Sequence, residues 1–161
     1  MPARAVDHRR PGGVGVASAR VDEPQLAAWG EAFARTLTRP AVIGLSGELG
    51  SGKTTLVRAI ARGLGVQDLV TSPTFALVHR YEAAGRSIWH VDAYRIRREA
   101  EAGDLGFDEI LADPLAVLLI EWPEKLGAAA PELTHRIRLA YAGDDRVRLL
   151  EWDEGLVSDG R

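Results

Sequence analysis

Apolar side chains recur at helical spacing in two segments of the chain. The first segment follows a helix cap at Asp22 or Glu23 and carries one apolar stripe, made of Leu26, Trp29, Phe33 and Leu37. The second segment ends before Gly65, a residue type common just past a helix end, and carries Leu56, Val57, Ile60 and Leu64. The pattern therefore predicts two amphipathic helices.

Shorter apolar runs predict strands around these helices. Residues 41–46 and 115–122 are almost continuously apolar, as is typical of strands buried on both faces of a parallel sheet. The run at 115–122 is the most apolar of the chain, so we expect it to be a central strand. Residues 97–112 are charged and interrupted by two glycines, and we expect short helical turns there.

Two further pairs of strands are expected to form antiparallel hairpins. Residues 75–82 and 87–92 are joined by a short connection that contains Gly85, and residues 134–142 and 146–152 flank a Gly-Asp-Asp turn. The predicted fold class is therefore α/β, with a mixed sheet, flanking helices and antiparallel hairpins.

The first twenty residues differ in composition from the rest of the chain. They contain four arginines, one aspartate, three glycines and two prolines, and they show no strong apolar periodicity. We therefore predict a basic, flexible N-terminal extension at residues 1–20 and a single domain at residues 21–161. An arm that contacts RNA is the alternative for this segment. Because the segment has no apolar centre of signal-peptide length, we expect a cytoplasmic protein.

Composition excludes several classes of protein. The 161 residues include no cysteine, which excludes disulfides, thiolate metal sites and cysteine nucleophiles. No apolar run approaches the roughly 20 residues of a membrane-spanning helix, so we expect no membrane partner. The net charge is −3, and it is −6 without the first twenty residues, so the chain is not expected to bind DNA or grip RNA over a wide face.

Residues 47–54, GELGSGKT, match the phosphate-binding loop pattern G-x-x-x-x-G-K-[ST] at every defined position. The glycines let backbone N–H groups point at phosphate oxygens, and the following helix presents its positive end to the same charge. Lys53, one of only two lysines in the chain, can reach the β- and γ-phosphates, and the Thr54 hydroxyl can ligate Mg²⁺. The motif predicts that the α/β domain is a P-loop NTPase.

A P-loop requires a carboxylate partner for its metal, usually at the end of a neighbouring strand. Glu121 follows the apolar run 117–120 and is the first candidate, and Asp92, at the end of a hairpin strand, is the second. His90 shares a strand face with Asp92, but zinc is not expected because the four histidines are scattered and no cysteine supports them. These residues alone leave open which carboxylate orients the attacking water.

Residues 71–75, TSPTF, supply three hydroxyl groups and one proline between the loop helix and the first hairpin. Such a segment can approach the γ-phosphate or the metal and become ordered when nucleotide binds. An ordinary turn before a strand explains the same composition, so both interpretations stay open.

Five motifs resemble the TsaE (YjeE) family in sequence, order and spacing: GELGSGKTT, TSPTFALVHRYE, HVDAYR, LGFDEIL and LLIEWPE. The resemblance covers residues 21–152, and members of this family are bacterial ATPases of tRNA threonylcarbamoyladenosine biosynthesis. It implies a Mg²⁺-dependent enzyme that hydrolyses ATP to ADP and phosphate, and so drives or resets a complex of the proteins TsaB and TsaD. Because TsaD transfers the threonylcarbamoyl group to the adenosine beside the anticodon, tRNA would be reached only through the complex.

The resemblance also implies which residues form the site. Lys53, Asp92 and Glu121 would be catalytic, and Thr54 and Glu121 would hold Mg²⁺. Thr74 would belong to a segment that senses the nucleotide, and Arg146 would contact the nucleotide itself. The complete set expected to contact ATP is Glu23, Gly50, Ser51, Gly52, Lys53, Thr54, Thr55, Thr74 and Arg146.

Three other functions fit parts of the sequence. A small-molecule kinase of the P-loop class would use Arg95, Arg97 and Arg98 in a lid over its substrate. A regulatory GTPase usually reads guanine through an Asn-Lys-x-Asp motif, which a chain without asparagine cannot contain. A scaffold would bind nucleotide without turnover. In the ATPase, the arginine that stabilises the transferred phosphoryl group would come from a partner or from Arg95.

Overall fold

The structure is a computed structural model that describes residues 15–38, 40–73 and 76–154. Within these ranges the strands are β1 (Gly15–Val21), β2 (Ala41–Gly47), β3 (Val78–Ala83), β4 (Arg86–Asp92), β5 (Ala116–Glu121), β6 (His135–Tyr141) and β7 (Arg148–Glu154). The helices are α1 (Glu23–Ala34), α2 (Lys53–Gly63), α3 (Glu99–Gly103), α4 (Phe107–Leu111) and a 3₁₀ helix at Pro123–Ala129.

All seven strands join one mixed sheet in the order β1-β7-β6-β2-β5-β4-β3. Parallel pairing links β6 to β2, β2 to β5 and β5 to β4. Antiparallel pairing adds β3 beside β4, and β7 between β6 and β1. The α/β fold class and both predicted hairpins are therefore confirmed. β2 occupies the centre of the sheet, and β5 lies beside it, buried along its whole length.

Strand β1 corrects the predicted boundary of the domain. The sequence prediction assigned residues 15–20 to a flexible extension, whereas Gly15–Val21 pairs with β7 at every position. Ala17, Ala19 and Val21 are buried and alternate with more exposed residues, as in a strand with one face on the core. Two of these three side chains are only methyl groups, so the apolar alternation in the sequence is weak. Residues 1–14 lie outside the described residues.

Two apolar cores cover the sheet, one on each face. The core under α1 and α2 includes Ile43, Leu45, Leu56, Ile60, Leu119 and Leu139. The core under α3, α4 and the 3₁₀ helix includes Val42, Phe107, Leu118, Ile120 and Leu126. Neighbouring residues of one strand therefore belong to different cores, which explains why β2 and β5 are apolar at nearly every position.

Helix α1 holds α2 against the first face of the sheet. It is capped by Asp22, whose carboxylate accepts a hydrogen bond from the N–H of Gln25 at 2.8 Å, and the Gln25 side chain accepts one from the N–H of Asp22 at 2.9 Å. Gly30 lets the two helices approach closely, because a Cβ atom there would lie 2.8 Å from the Cβ of Ala59. The packing places the first turn of α2 at the carboxyl end of β2. In the described ranges, no helix is long and apolar enough to cross a membrane.

The burial of β1 can be tested by placing a carboxylate on each of its faces. We expect Ala19→Asp to lower the free energy of unfolding by about 3 kcal/mol or more, because the carboxylate would enter the core under α1. Arg20→Asp, at the exposed neighbouring position, should cost about 1 kcal/mol, because it removes only the hydrogen bond from the Arg20 guanidinium to the carbonyl oxygen of Ala142. Urea unfolding measures both values, and equal losses would show that this segment does not pack on the domain.

Candidate nucleotide-binding site

The loop between β2 and α2 has the curled backbone of a phosphate cradle. Gly47, Gly50 and Gly52 have positive φ angles of 148°, 76° and 105°. A Cβ atom at Gly47 would collide with the carbonyl oxygen of Leu139 on the adjacent strand β6, so only glycine lets the loop leave the sheet here. The loop thus turns back over the amino end of α2, where free N–H groups and the helix dipole favour an anion.

Lys53 is almost completely buried within this loop. Its ammonium donates hydrogen bonds to the carbonyl oxygens of Gly47 at 2.7 Å and Glu48 at 2.8 Å, and it lies 4.2 Å from the centroid of the Trp122 ring. Burial lowers the pKa of Lys53. Three carboxylates oppose this effect, those of Glu121, Glu124 and Asp92. The desolvated ammonium can therefore exchange its two carbonyl contacts for phosphate oxygens.

The first turn of α2 meets the end of β5 through one hydrogen bond. The hydroxyl of Thr54 donates to Oε1 of Glu121 at 2.8 Å, and the other carboxylate oxygen, Oε2, lies 2.7 Å from Nε2 of His90. Glu121 is only 2% exposed, so its carboxylate depends on these partners in place of water. The contact brings together the two residues that the sequence analysis assigned to the metal.

Asp92 lies beside Glu121, because the parallel pairing of β4 and β5 puts the two residues in register. Its Oδ2 atom accepts a hydrogen bond from the Ser72 hydroxyl at 2.9 Å, and its Oδ1 atom accepts one from the N–H of Tyr94 at 3.0 Å. Ser72 belongs to the hydroxyl-rich segment 71–75. Asp92 therefore links the strand ends to that segment, in contrast to Glu121, which contacts the loop helix.

A cleft of about 480 Å³ adjoins the loop. It is bounded by the loop, the start of α1 and the turn between β6 and β7. Among the residues lining it are Glu23, Gly50, Ser51, Gly52, Thr55 and Arg146. Two distant parts of the sequence thus meet across the loop, with acidic and basic side chains on the same cleft.

The sequence model of the family described as "Threonylcarbamoyl adenosine biosynthesis protein TsaE" matches residues 21–154. The chain belongs to the TsaE family. A TsaE protein of Streptomyces coelicolor is 44% identical over 125 residues, which cover 74% of this chain and 83% of that protein. One from Haemophilus influenzae is 37% identical over 130 residues, which cover 78% and 82% of the two chains. The crystal structure of YdiB from Bacillus subtilis matches with a TM-score of 0.73 at 28% identity, covering 89% of this chain and 88% of YdiB.

TsaE membership confirms the resemblance identified from the five sequence motifs. The name of the family links the chain to the biosynthesis of threonylcarbamoyladenosine in tRNA, as do the names of its relatives. The seven-stranded mixed sheet is also consistent with the YdiB likeness, which extends over most of both chains.

In this TsaE-family chain, the predicted site residues fall into two adjoining groups. Lys53, Thr54, Asp92 and Glu121 meet where β2, β4 and β5 end, and the six lining residues named above surround the cleft. Thr74 lies outside the described residues, so its predicted role stays a prediction.

The sequence analysis did not assign three residues that the structure places at the site: Ser72, His90 and Trp122. His90 carried a signal, because it lies two residues before Asp92 on the same strand face. Trp122 carried none: its left-handed backbone, with φ 58° and ψ 51°, and its position under Lys53 arise from tertiary packing.

The oxygen atoms of Thr54 and Glu121 suit Mg²⁺ better than they suit zinc or iron. Magnesium prefers hard oxygen ligands and is commonly held by one or two protein oxygens together with phosphates and water. In the described part of the chain, no group of three or more His, Cys, Asp or Glu side chains could hold a metal ion alone. A metal at Thr54 and Glu121 would therefore need further ligands, such as phosphate oxygens and water.

The loop backbone predicts unequal effects of two glycine substitutions. Gly47→Ala should destabilise the protein by about 2 kcal/mol more than Gly50→Ala, because its Cβ atom meets a backbone carbonyl. At Gly50 the nearest atom is the Tyr141 hydroxyl at 3.0 Å, which can move aside, so the expected cost is that of the positive φ, about 1–2 kcal/mol. Urea unfolding of both variants tests this order, and equal losses would contradict it.

Proposed function

We propose that the protein is the Mg²⁺-dependent ATPase subunit of the machinery that forms threonylcarbamoyladenosine in tRNA. The observation that carries this proposal is the 2.8 Å contact between the Thr54 hydroxyl and the Glu121 carboxylate. It joins the first turn of the loop helix to a buried acidic residue, which is how P-loop NTPases hold the metal beside the phosphates.

Phosphate binding is assigned to the loop and to Lys53. The curled backbone at Gly50, Ser51 and Gly52 would offer N–H groups to the phosphates, and Thr55 extends this surface into the cleft. To do so, the Ser51 N–H would leave the carbonyl oxygen of Glu48, to which it donates at 3.1 Å. Lys53 would release the carbonyl oxygens of Gly47 and Glu48 and turn its ammonium to the β- and γ-phosphates. Because the residue is already buried, little further desolvation is needed when the phosphates arrive.

Thr54 and Glu121 would hold the magnesium ion. When bound, the ion would neutralise part of the charge on the phosphate oxygens. Glu121 is suited to this task because both of its oxygens are fixed, one by Thr54 and one by His90. Thr54 would then redirect its hydroxyl lone pairs towards the ion while keeping its place in the first turn of α2.

Asp92 is proposed to orient the attacking water. It adjoins Glu121 in the sheet but is bound to Ser72, so it faces the segment that would approach the γ-phosphate. Water would attack the γ-phosphorus, and the bond to the oxygen bridging the β- and γ-phosphates would break, releasing ADP and phosphate. Thr74 lies in the same hydroxyl-rich segment, residues 71–75, which is proposed to sense the nucleotide.

The cleft is proposed to hold the nucleoside part of ATP. Glu23 and Arg146 line it from opposite ends of the sequence, and both were assigned to the nucleotide from the family resemblance. The Glu23 carboxylate can accept hydrogen bonds and the Arg146 guanidinium can donate them. This combination suits an adenine and its ribose, which present both donors and acceptors.

The partners proposed are TsaB and TsaD, with tRNA reached through them in the cytoplasm. Support comes from TsaE membership and from the net charge of −6 after residue 20, which disfavours a wide RNA-binding face. Hydrolysis would drive or reset the assembly, and the transfer to adenosine would take place on TsaD.

A small-molecule kinase is the second candidate, because residues that follow Asp92 in the sequence line a separate, cationic cleft. This cleft of about 540 Å³ is lined by Tyr94, Arg95, Ile96, Arg97 and Lys125, and three of these five side chains are cationic. An anionic metabolite would suit such a lining. The two functions differ in whether phosphate is released without an acceptor.

Phosphate release from ATP should occur without any metabolite and should rise when the TsaB–TsaD pair is added. Lys53→Ala should lower the stimulated rate by about 100-fold or more, because it removes a cation from the phosphates. Arg62→Ala, on the same helix but paired with Glu31 away from the loop, is the matched control and should change the rate by less than about twofold. Strict dependence on a metabolite would favour the kinase, and absence of stimulation would remove the partner assignment.

Glu121→Gln and Asp92→Asn should separate metal binding from water activation. With Glu121→Gln we expect Mg²⁺ to lose most of its effect on ATP affinity, because a neutral amide is a poor magnesium ligand. With Asp92→Asn we expect ATP affinity within about threefold of the wild type and a turnover about 100-fold lower. Calorimetric titration and phosphate release measure the two quantities. An exchange of these two phenotypes would reverse the assigned roles.

A further inference from the structure

His90 is a completely buried polar residue to which the proposed mechanism gives no task. It lies on β4, on the same face as Asp92 and Ile88, and Ile88 belongs to the core under α1 and α2. Its Nε2 atom is 2.7 Å from Oε2 of Glu121. A histidine in an apolar core needs a hydrogen-bond partner to offset its lost hydration, and Glu121 is the partner that the structure provides.

The two ring nitrogens of His90 have different surroundings. A carboxylate oxygen only accepts hydrogen bonds, so Nε2 must carry the hydrogen of the contact with Glu121. Nδ1 is buried, and it has no hydrogen-bond partner among the described residues. A hydrogen on Nδ1 would be a buried donor without an acceptor, which costs more than a bare ring nitrogen in the same place. The contact with Glu121 therefore assigns a hydrogen to Nε2.

The contact with His90 gives the two carboxylate oxygens of Glu121 different partners. Oε2 is occupied by His90 behind the site, so Oε1 faces Thr54 and the loop. Without His90, the carboxylate could rotate about its terminal torsion, which is broad and lacks three distinct staggered minima. Both oxygens would then compete for Thr54 and for any cation placed beside it.

We propose that His90 is the positioning residue that orients the Glu121 carboxylate for Mg²⁺. The inference rests on the proposed function, because it takes Glu121 to be a metal ligand. Partners of metal ligands commonly change metal affinity 10- to 100-fold when they are removed. A residue that only filled space in the core would change stability and leave the effect of Mg²⁺ intact.

Three variants separate positioning from packing. His90→Leu keeps an apolar side chain of similar size and removes the N–H donor, and His90→Gln keeps an N–H donor that can reach Glu121. Ile88→Ala is the packing control, because Ile88 is also completely buried on the same face of β4 but belongs to the apolar core.

The measurement is the dissociation constant of a non-hydrolysable ATP analogue, with Mg²⁺ and with excess EDTA. In His90→Leu the gain in affinity caused by Mg²⁺ should fall 10- to 100-fold, and the constant in EDTA should change by less than about twofold. His90→Gln should keep most of the gain. Ile88→Ala should keep the whole gain in affinity caused by Mg²⁺. In urea unfolding, however, Ile88→Ala should lose more stability than His90→Leu.

Three other outcomes would overturn the inference, and the measurements distinguish them. A full Mg²⁺ gain in His90→Leu would show that Glu121 needs no positioning, and the proposed function would stand. Equal loss in the Leu and Gln variants, in EDTA as well as in Mg²⁺, would show a packing role. A wild-type protein whose affinity does not respond to Mg²⁺ would remove both the metal site and this inference.

A second measurement uses the wild-type protein and therefore does not depend on whether the variants fold. In the nucleotide-free wild-type protein, ¹⁵N NMR of the imidazoles should show a hydrogen on Nε2 of His90. An Nε2 atom without a hydrogen would leave His90 with no donor for the Glu121 carboxylate and would overturn the inference.

Discussion

Parallel pairing of β2, β5 and β4 is the constraint on which the site depends. Strands that run in the same direction must end at the same edge of the sheet, so Gly47, Glu121 and Asp92 leave it side by side. This shared edge brings the loop helix, Asp92 and Glu121 together, although Asp92 and Glu121 are 29 residues apart in the sequence and Asp92 is 39 residues from Lys53. Ligand sites of α/β sheets lie at this edge for the same reason.

The same edge is where the core becomes polar. Residues 117–120 of β5 are completely buried and apolar, and the next residue is the buried carboxylate of Glu121. Such a group is tolerated only with fixed partners, and it has two, the hydroxyl of Thr54 and the ring of His90. The buried ammonium of Lys53 also has fixed partners, because two loop carbonyl oxygens and the Trp122 ring take the place of its hydrating water molecules. Polar groups held so firmly would lose little freedom in the proposed binding of phosphates, which lowers the cost of organising the site.

Local signals explain which parts of the fold could be predicted. The P-loop was recognisable because its function needs glycines and a lysine at fixed spacing, and the hairpins because short glycine-containing turns join their strands. β1 was assigned to the wrong region because Ala17 and Ala19 contribute little apolar signal next to arginine and glycine. Its place is decided by the free edge of β7, with which it pairs along seven residues. No feature near residue 15 in the sequence indicates that edge.

In the candidate site, too, some features could be predicted from short sequence segments and others depend on tertiary packing. By itself, the sequence determined the chemistry available: a phosphate loop with one of only two lysines, and acidic residues that end apolar strands. These are properties of short segments, and short segments carry their own physical signatures. The tertiary structure decided the partners. It joined Glu121 to Thr54 and His90, bound Asp92 to Ser72, and placed Glu23 opposite Arg146 on one cleft. Such contacts depend on the register of strands and the approach of helices, which are set by packing across the whole domain.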